Sequence, residues 1–203
     1  MTSRRGLRVL LDPYRPGALG GRLTHGCIQE PADVVAVTHF HEDHGWIGGV
    51  PGDPIVVDRT RTARGVRFRT TTVPHDGSDG SHMGLSRRVA FTLDGVAVLH
   101  PGDLGRVPDD LTDLGRVDLL LVPVGGKYTI GPAEAAALVR SLAPRWVVPM
   151  HYRSPKVDLD MATREDFVAA LGPDVRVTAP GGSDLECRER EGATEVVLLD
   201  PSL

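Results

Sequence analysis

The segment Thr38-His39-Phe40-His41-Glu42-Asp43-His44 constrains this chain more than any other feature. It follows Val34-Val35-Ala36-Val37, a β-branched run of the kind buried on both faces of a sheet. In extended chain, side chains two apart share a face, so His39 and His41 are expected to point into one site. Asp43 and His44 come in the following turn, where the chain bends and aims them at a neighbouring point. Neutral imidazoles and a carboxylate are borderline ligands suited to zinc, manganese or iron. These groups serve two ions only if more ligands arrive from elsewhere, because one short segment cannot fill two coordination shells. A lone histidine is more often a surface or satisfied core residue, and solvated histidine tracts are usually unbroken runs at termini. This cluster instead closes a core-type strand.

The rest of the chain reads as short elements, in keeping with 24 Gly and 16 Pro in 203 residues. Strands are expected at Leu7–Leu11, at Val34–Thr38, at Ile55–Val57, from Gly65 to Val73, and from Val117 to Val122. Arg88–Leu93 and Val96–Leu99 flank Asp94-Gly95, a two-residue hairpin signal. The period then changes. Pro132–Arg140 predicts a helix with Pro in its first turn, and Arg145–Pro149 a strand running into His151. Thr163-Arg164-Glu165-Asp166 resembles a capping box opening a second helix that Gly172-Pro173 ends. Strands near Val175–Val177 and Glu195–Leu199 close the chain. With no internal repeat and no linker, residues 1–203 are expected to form one domain, either two sheets covered by helices or a mixed α/β sheet.

Composition removes several classes of function. A hydrophobic fraction of 40% with 25% charged residues suits a globular fold and argues against disorder. Against 27 Asp+Glu stand 23 Lys+Arg, a net charge of −4 without the basic excess expected of a nucleic-acid binder. The apolar stretch after Arg4-Arg5 ends at Leu11, too short for a signal-peptide core or a bilayer span. Cys27 and Cys187 lie far apart and form no CxxC, so a reducing, cytoplasmic location is expected. The expected partner is a small-molecule substrate, not nucleic acid or membrane, and a homo-oligomer is compatible with the chain.

Thr-His-x-His-x-Asp-His is similar to the signature of the metallo-β-lactamase superfamily. Later segments resemble one branch of it, small metal-dependent hydrolases like L-ascorbate-6-phosphate lactonase. The matching pieces are Leu11-Asp12-Pro13, Thr38 to Gly45, Val73-Pro74-His75-Asp76, His100 to Gly105, Pro123 to Ile130, and Val148-Pro149-Met150-His151-Tyr152. They occur in the family's order over about residues 9–152, and residues 153–203 match only loosely. The resemblance implies an α/β (α+β) fold, a four-layer αββα sandwich of two mixed β-sheets flanked by helices, with metals at one edge. It implies that His39, His41 and His75 hold one ion, that Asp43, His44 and His151 hold a second, and that Asp103 bridges them. Two divalent ions are expected, zinc foremost, with manganese or iron compatible.

Each remote ligand follows a predicted strand, which is where loop-borne functional groups converge. His82, in the glycine- and serine-rich stretch Gly77 to Gly84, is the rival for the position of His75. His100 is read either as an outer partner orienting a ligand or as packing, His25 as a loop residue, and Glu42 as solvated or an outer partner.

Paired metals that share a water lower its pKa toward neutrality and yield hydroxide for attack on a carbonyl or phosphoryl centre. The expected reaction is therefore hydrolysis of a small ester, lactone or phosphodiester, with Asp43 as ligand and as orienter or proton acceptor. No Gly-x-Ser-x-Gly elbow offers a competing nucleophile. Within the superfamily that the chain resembles, diiron relatives carry a carboxylate at the His41 position, so the resemblance implies a hydrolytic site here, although iron dioxygenases of that fold also keep the histidine. The alternatives are a non-catalytic metal-binding protein and a mononuclear iron dioxygenase using His39, His75 (or His82) and His151. For substrate contacts, Lys127 is a candidate anion partner and Tyr128 or Tyr152 a hydrogen-bond donor. Arg59, Arg61, Arg64, Arg67 and Arg69 suit an anionic substrate, but alternating Arg beside Val66 and Phe68 more simply marks a solvated strand face.

Overall fold

The valine run before the histidines becomes β2 (Val34–Ala36), central in a parallel sheet ordered β1-β2-β3 with β1 (Val9–Leu11) and β3 (Ile55–Val57). The structure is a computed structural model that describes residues 1–187 and 192–202. Val34, Val35 and Val37 are all 0% exposed, as a run apolar on both faces requires. Burying each such side chain contributes about 1.5 kcal/mol or more.

A second, mixed sheet is ordered β10-β11-β9-β8-β7-β6-β5-β4. Its strands are β4 (Arg61–Ala63), β5 (Val66–Pro74), β6 (Leu85–Leu93), β7 (Val96–His100), β8 (Leu119–Pro123), β9 (Trp146–Met150), β10 (Arg176–Thr178) and β11 (Glu195–Val197). The expected hairpin joins β6 to β7, with Asp94 and Gly95 at φ 50° and 86°. Both central residues are left-handed, which matches the twist of the flanking strands. A similar turn at Arg64 and Gly65, φ 49° and 81°, folds β4 onto β5. This hairpin was not expected from the sequence, because arginine carries none of the usual preference for a left-handed turn position.

The two sheets meet through Val9, Val34, Ala36 and Val57 on one side and Val89, Phe91, Val98 and Leu119 on the other. The outer face of the large sheet (Leu99, Leu120, Val122 and Val147) is covered by helices α2 (Pro132–Leu142) and α3 (Arg164–Leu171). Glu134 Oε2 accepts from the backbone N–H of Gly131 ahead of α2, and Thr163 and Asp166 form the expected capping box of α3. The outer face of the small sheet packs Val35 and Val37 against Val50, Ala32 and Ile47, a thin cover that includes a single 3-10 turn at Ile47–Gly49. A short turn, α1 (Ala18–Gly21), holds Leu19 and Gly20 in left-handed conformation. This is the layered sandwich that the resemblance implied, except that the small sheet is wholly parallel, not mixed, and its outer cover carries a 3-10 turn where a full helix was expected.

Topology explains where the site forms. β5 and β7 are both antiparallel to β6 and so run the same way, and β8 and β9 run parallel to β7. The C-terminal ends of β5, β7, β8 and β9 therefore share one edge of the large sheet. His75, Asp103, Val124 and His151 follow those ends. Among the described residues no helix is long and apolar enough to cross a membrane.

Candidate metal centre

The chain ends leaving β1, β2, β5, β7 and β9 bring Asp12, the 39–44 segment, His75, Asp103 and His151 together. Two groups offer ligand atoms all within 4.8 Å of one another: His39, His41 and His75, and Asp43, His44 and His151. Between them lies Asp103, 2% exposed, with Oδ2 at 3.4 Å from Nε2 of His44, His75 and His151 and 4.0 Å from Nε2 of His39. Its other oxygen, Oδ1, is buried with no hydrogen-bond partner. All seven residues named from the sequence are thus gathered at one point. His75 is 2% exposed and in the cluster, whereas His82 is exposed and its Nδ1 lies 3.2 Å from Ser81 Oγ.

Hydrogen bonds settle which imidazole nitrogens face the centre. Thr38 Oγ1 donates its one proton to Asp12 Oδ2 at 2.7 Å, so it accepts from His39 Nδ1 at 3.0 Å. His75 Nδ1 donates to the carbonyl of Tyr128 at 3.2 Å, and His44 Nδ1 to Asp12 Oδ2 at 2.9 Å. In all three rings Nε2 is the atom turned toward Asp103. This is the tautomer that metal-binding histidines adopt when a carboxylate or carbonyl takes the other N–H.

Asp12 is the residue that sequence reading missed as a functional group. Its carboxylate also accepts from Thr38 N at 2.7 Å, and His100 Nε2 stands 3.5 Å away while His100 Nδ1 accepts from Gly102 N at 3.0 Å. His100 is thus an outer partner of the site. Asp12, His39 and His44 also lie close enough to form a ligand trio. The oxygens of Asp12 are already filled by those donors, however, and the trio works as a hydrogen-bond hub. The available signal was Asp-Pro directly after a strand parallel to β2.

The electrostatics follow from this packing. Burial, with His44 beside it, pushes His39 down to about 3. Burial opposes a charge on His44, but the carboxylates of Asp103 and Asp12 hold its proton well above the ordinary range. Burial also disfavours an ionised Asp103, yet His44 and His151 keep its carboxyl well below the usual value.

Backbone conformation at this rim is costly. Asp12, Tyr128 and His151 adopt φ of 45°, 63° and 51°, each a left-handed conformation that costs about 1 kcal/mol or more outside glycine. Two glycines make room. A Cβ on Gly102 would stand 2.5 Å from both the carbonyl of Arg87 and Ser86 Oγ, and one on Gly125 would stand 2.3 Å from the carbonyl of His151.

The remaining sequence candidates fall outside the cluster. Glu42 Oε1 accepts from Leu19 N at 2.6 Å and ties down the α1 turn, while the ring of His25 packs against Tyr14. Tyr152 packs against the core between the large sheet and its helices. Lys127 Nζ lies 5.7 Å from the Tyr128 ring centroid. The arginines spread along β4 and β5, where Arg67 is eight residues from His75, roughly 25 Å in extended chain. They do not gather at the site.

The model of the beta-lactamase superfamily domain matches residues 1–151. A protein of Methanoculleus marisnigri named a metal-dependent hydrolase is 34% identical over 71% of this chain and 73% of its own length. One of Thermococcus kodakarensis with the same name is 31% identical over 86% and 90%. The crystal structure of a candidate zinc-dependent hydrolase of the metallo-β-lactamase superfamily from Thermotoga maritima superposes with a TM-score of 0.70 at 29% identity, covering 95% of this chain and 90% of that one.

Proposed function

The chain belongs to the beta-lactamase superfamily, and from that membership and the cluster geometry we propose that it is a hydrolase dependent on two divalent metal ions, zinc foremost. The observation that carries the reading is Asp103, one carboxylate oxygen equidistant from histidines of both trios with its second oxygen buried and unpartnered. Such a donor set fits cations. The Nε2 atoms of His39 and His75, bare of protons, converge with a buried carboxylate whose Oδ1 has no hydrogen-bond partner. In this proposal His39, His41 and His75 hold one ion, Asp43, His44 and His151 the other, and Asp103 bridges them. Bound metal would supply Lewis acidity and a water of lowered pKa.

The protein's own groups do the rest. Asp12 fixes His44, and through Thr38 it fixes His39. The carbonyl of Tyr128 fixes His75. Asp43, beside His44 and His151, would serve as a ligand and as orienter or proton acceptor for the nucleophile. The proposed substrate is a small ester, lactone or phosphodiester, in line with relatives named metal-dependent hydrolases. Metal stoichiometry together with a substrate panel tests this. About two equivalents with turnover of activated esters or diesters supports it; two equivalents without turnover points to a non-catalytic binder. About one equivalent of iron with oxygen uptake points to an oxygenase.

A further inference from the structure

Tyr128 carries more than its backbone role requires. Its carbonyl reaches His75 Nδ1 at 3.2 Å, with the residue at φ 63°. Glycine would reach the same place without the steric penalty, as Gly126 does at φ 76°. A bulky aromatic stands there instead, 46% exposed, beside the cluster. A second observation agrees with the first. The large apolar side chains exposed among the described residues are Met1, Phe40, Trp46, Leu85 and Tyr128. Phe40, Trp46 and Leu85, like Tyr128, belong to the segments that build the cluster: Phe40 lies between His39 and His41, Trp46 two residues past His44, and Leu85 next to Gly84, whose carbonyl accepts from His75 N. Single exposed apolar side chains are ordinary, but four of the five falling in site-forming segments point to a site that meets apolar matter.

We propose that Tyr128 contacts the substrate and that its ring recognises an apolar acyl group flanking the scissile bond. The substrate class is then an ester or lactone with an apolar acyl portion, not a compact phosphodiester. This rests on the hydrolase reading above. Lys127, whose ammonium lies 5.7 Å from the ring centroid, steadies the ring and offers a cation to the carboxylate that hydrolysis releases.

The test uses the zinc-loaded full chain and two carboxylates, acetate and hexanoate, with binding measured by calorimetry so that turnover is not needed. Hexanoate is expected to bind about tenfold or more tightly than acetate, as its added methylenes leave water. Tyr128→Gly should bring the two within about threefold of each other, a loss of apolar contact, without lowering bound zinc or the melting temperature. Tyr128→Phe, which keeps the ring, should keep the preference. Undetectable hexanoate binding, equal binding of both acids, or a preference that survives Tyr128→Gly overturns the proposal. So does loss of zinc in Tyr128→Gly, which would make the residue structural, or dissociation of a dimer, which would assign the apolar surface to a second copy. A hexanoate preference in a wild-type protein that hydrolyses none of the p-nitrophenyl esters from acetate to hexanoate would instead overturn the hydrolase reading and leave the acyl-binding role standing.

Discussion

The Nε2 atoms of His39 and His75 face each other at 3.1 Å, and both rings spend their N–H on the far side, on Thr38 and the Tyr128 carbonyl. Two lone pairs aimed at one another repel unless something positive lies between them. A cation held between them would relieve that repulsion, and the outer hydrogen bonds that aim the two nitrogens are then as much part of the site as the nitrogens themselves.

Asp103→Asn keeps the shape of the side chain and removes its charge. Bound zinc should fall below two equivalents, and turnover should drop by more than the roughly 10–100-fold that loss of an outer partner costs. His25→Ala, remote from the cluster, should change neither. Full zinc content and activity in Asp103→Asn would remove the bridging role.

Asp12→Asn tests the outer layer. The amide tolerates the left-handed backbone but no longer accepts from every donor now on the carboxylate. Zinc affinity, measured by competition with a chelator, should weaken by about 10–100-fold while stoichiometry at saturating metal stays the same.

Asp76 organises the 77–84 loop. Its carboxylate accepts from the backbone N–H groups of Ser78, Gly80, His82 and Met83 at 2.7, 3.0, 3.0 and 2.8 Å. These bonds, that from Met83 foremost, hold its carboxyl down to about 2. A depressed carboxyl stabilises the fold above its ordinary value of 3.8, and that contribution disappears as pH falls through about 2. Protection of the four amides from hydrogen exchange should therefore persist to about pH 4 and fade toward pH 2, and Asp76→Ala should abolish it at neutral pH.

The two thiols should react at different rates. Cys27 is exposed, whereas burial and the nearby Asp118 carboxylate push the half-buried Cys187 up to about 11. Iodoacetamide at pH 8 should label Cys27 first, with Cys187 gaining about tenfold per pH unit below its pKa, since the thiolate is the nucleophile. Equal rates at pH 8 would contradict the burial of Cys187.

Much of the arrangement was legible in the sequence because its signals are local. Asp-Gly sets the β6–β7 turn, Thr163 and Asp166 start α3, and the valine run before His39 announces a buried strand. The remote ligands were legible through strand ends, since His75 and His151 each follow an apolar run directly. Two things were not. The β4–β5 hairpin hides behind Arg64, whose left-handed backbone is imposed by strand pairing and not by its own preference. Asp12 looked like a strand stop, because its four partners come from positions 38, 44 and 100 and exist only once β1 and β2 are side by side. The choice of His75 over His82, by contrast, was legible from the strand end, with Val73-Pro74 directly before His75, and the structure adds that Gly84 folds back onto His75 N.

The parallel pairing of β9 with β8, Pro123 opposite Met150, leaves Val124 and His151 at the same level of the rim. Since neighbouring positions on a strand alternate in direction, a slip of one step would swing the imidazole of His151 away from its companions. Chelation in this chain therefore works as a gauge of correct strand alignment. A bound ion would act as a rivet through the loops that leave both sheets, and stripping it with a chelator should loosen the whole sandwich and not its mouth alone.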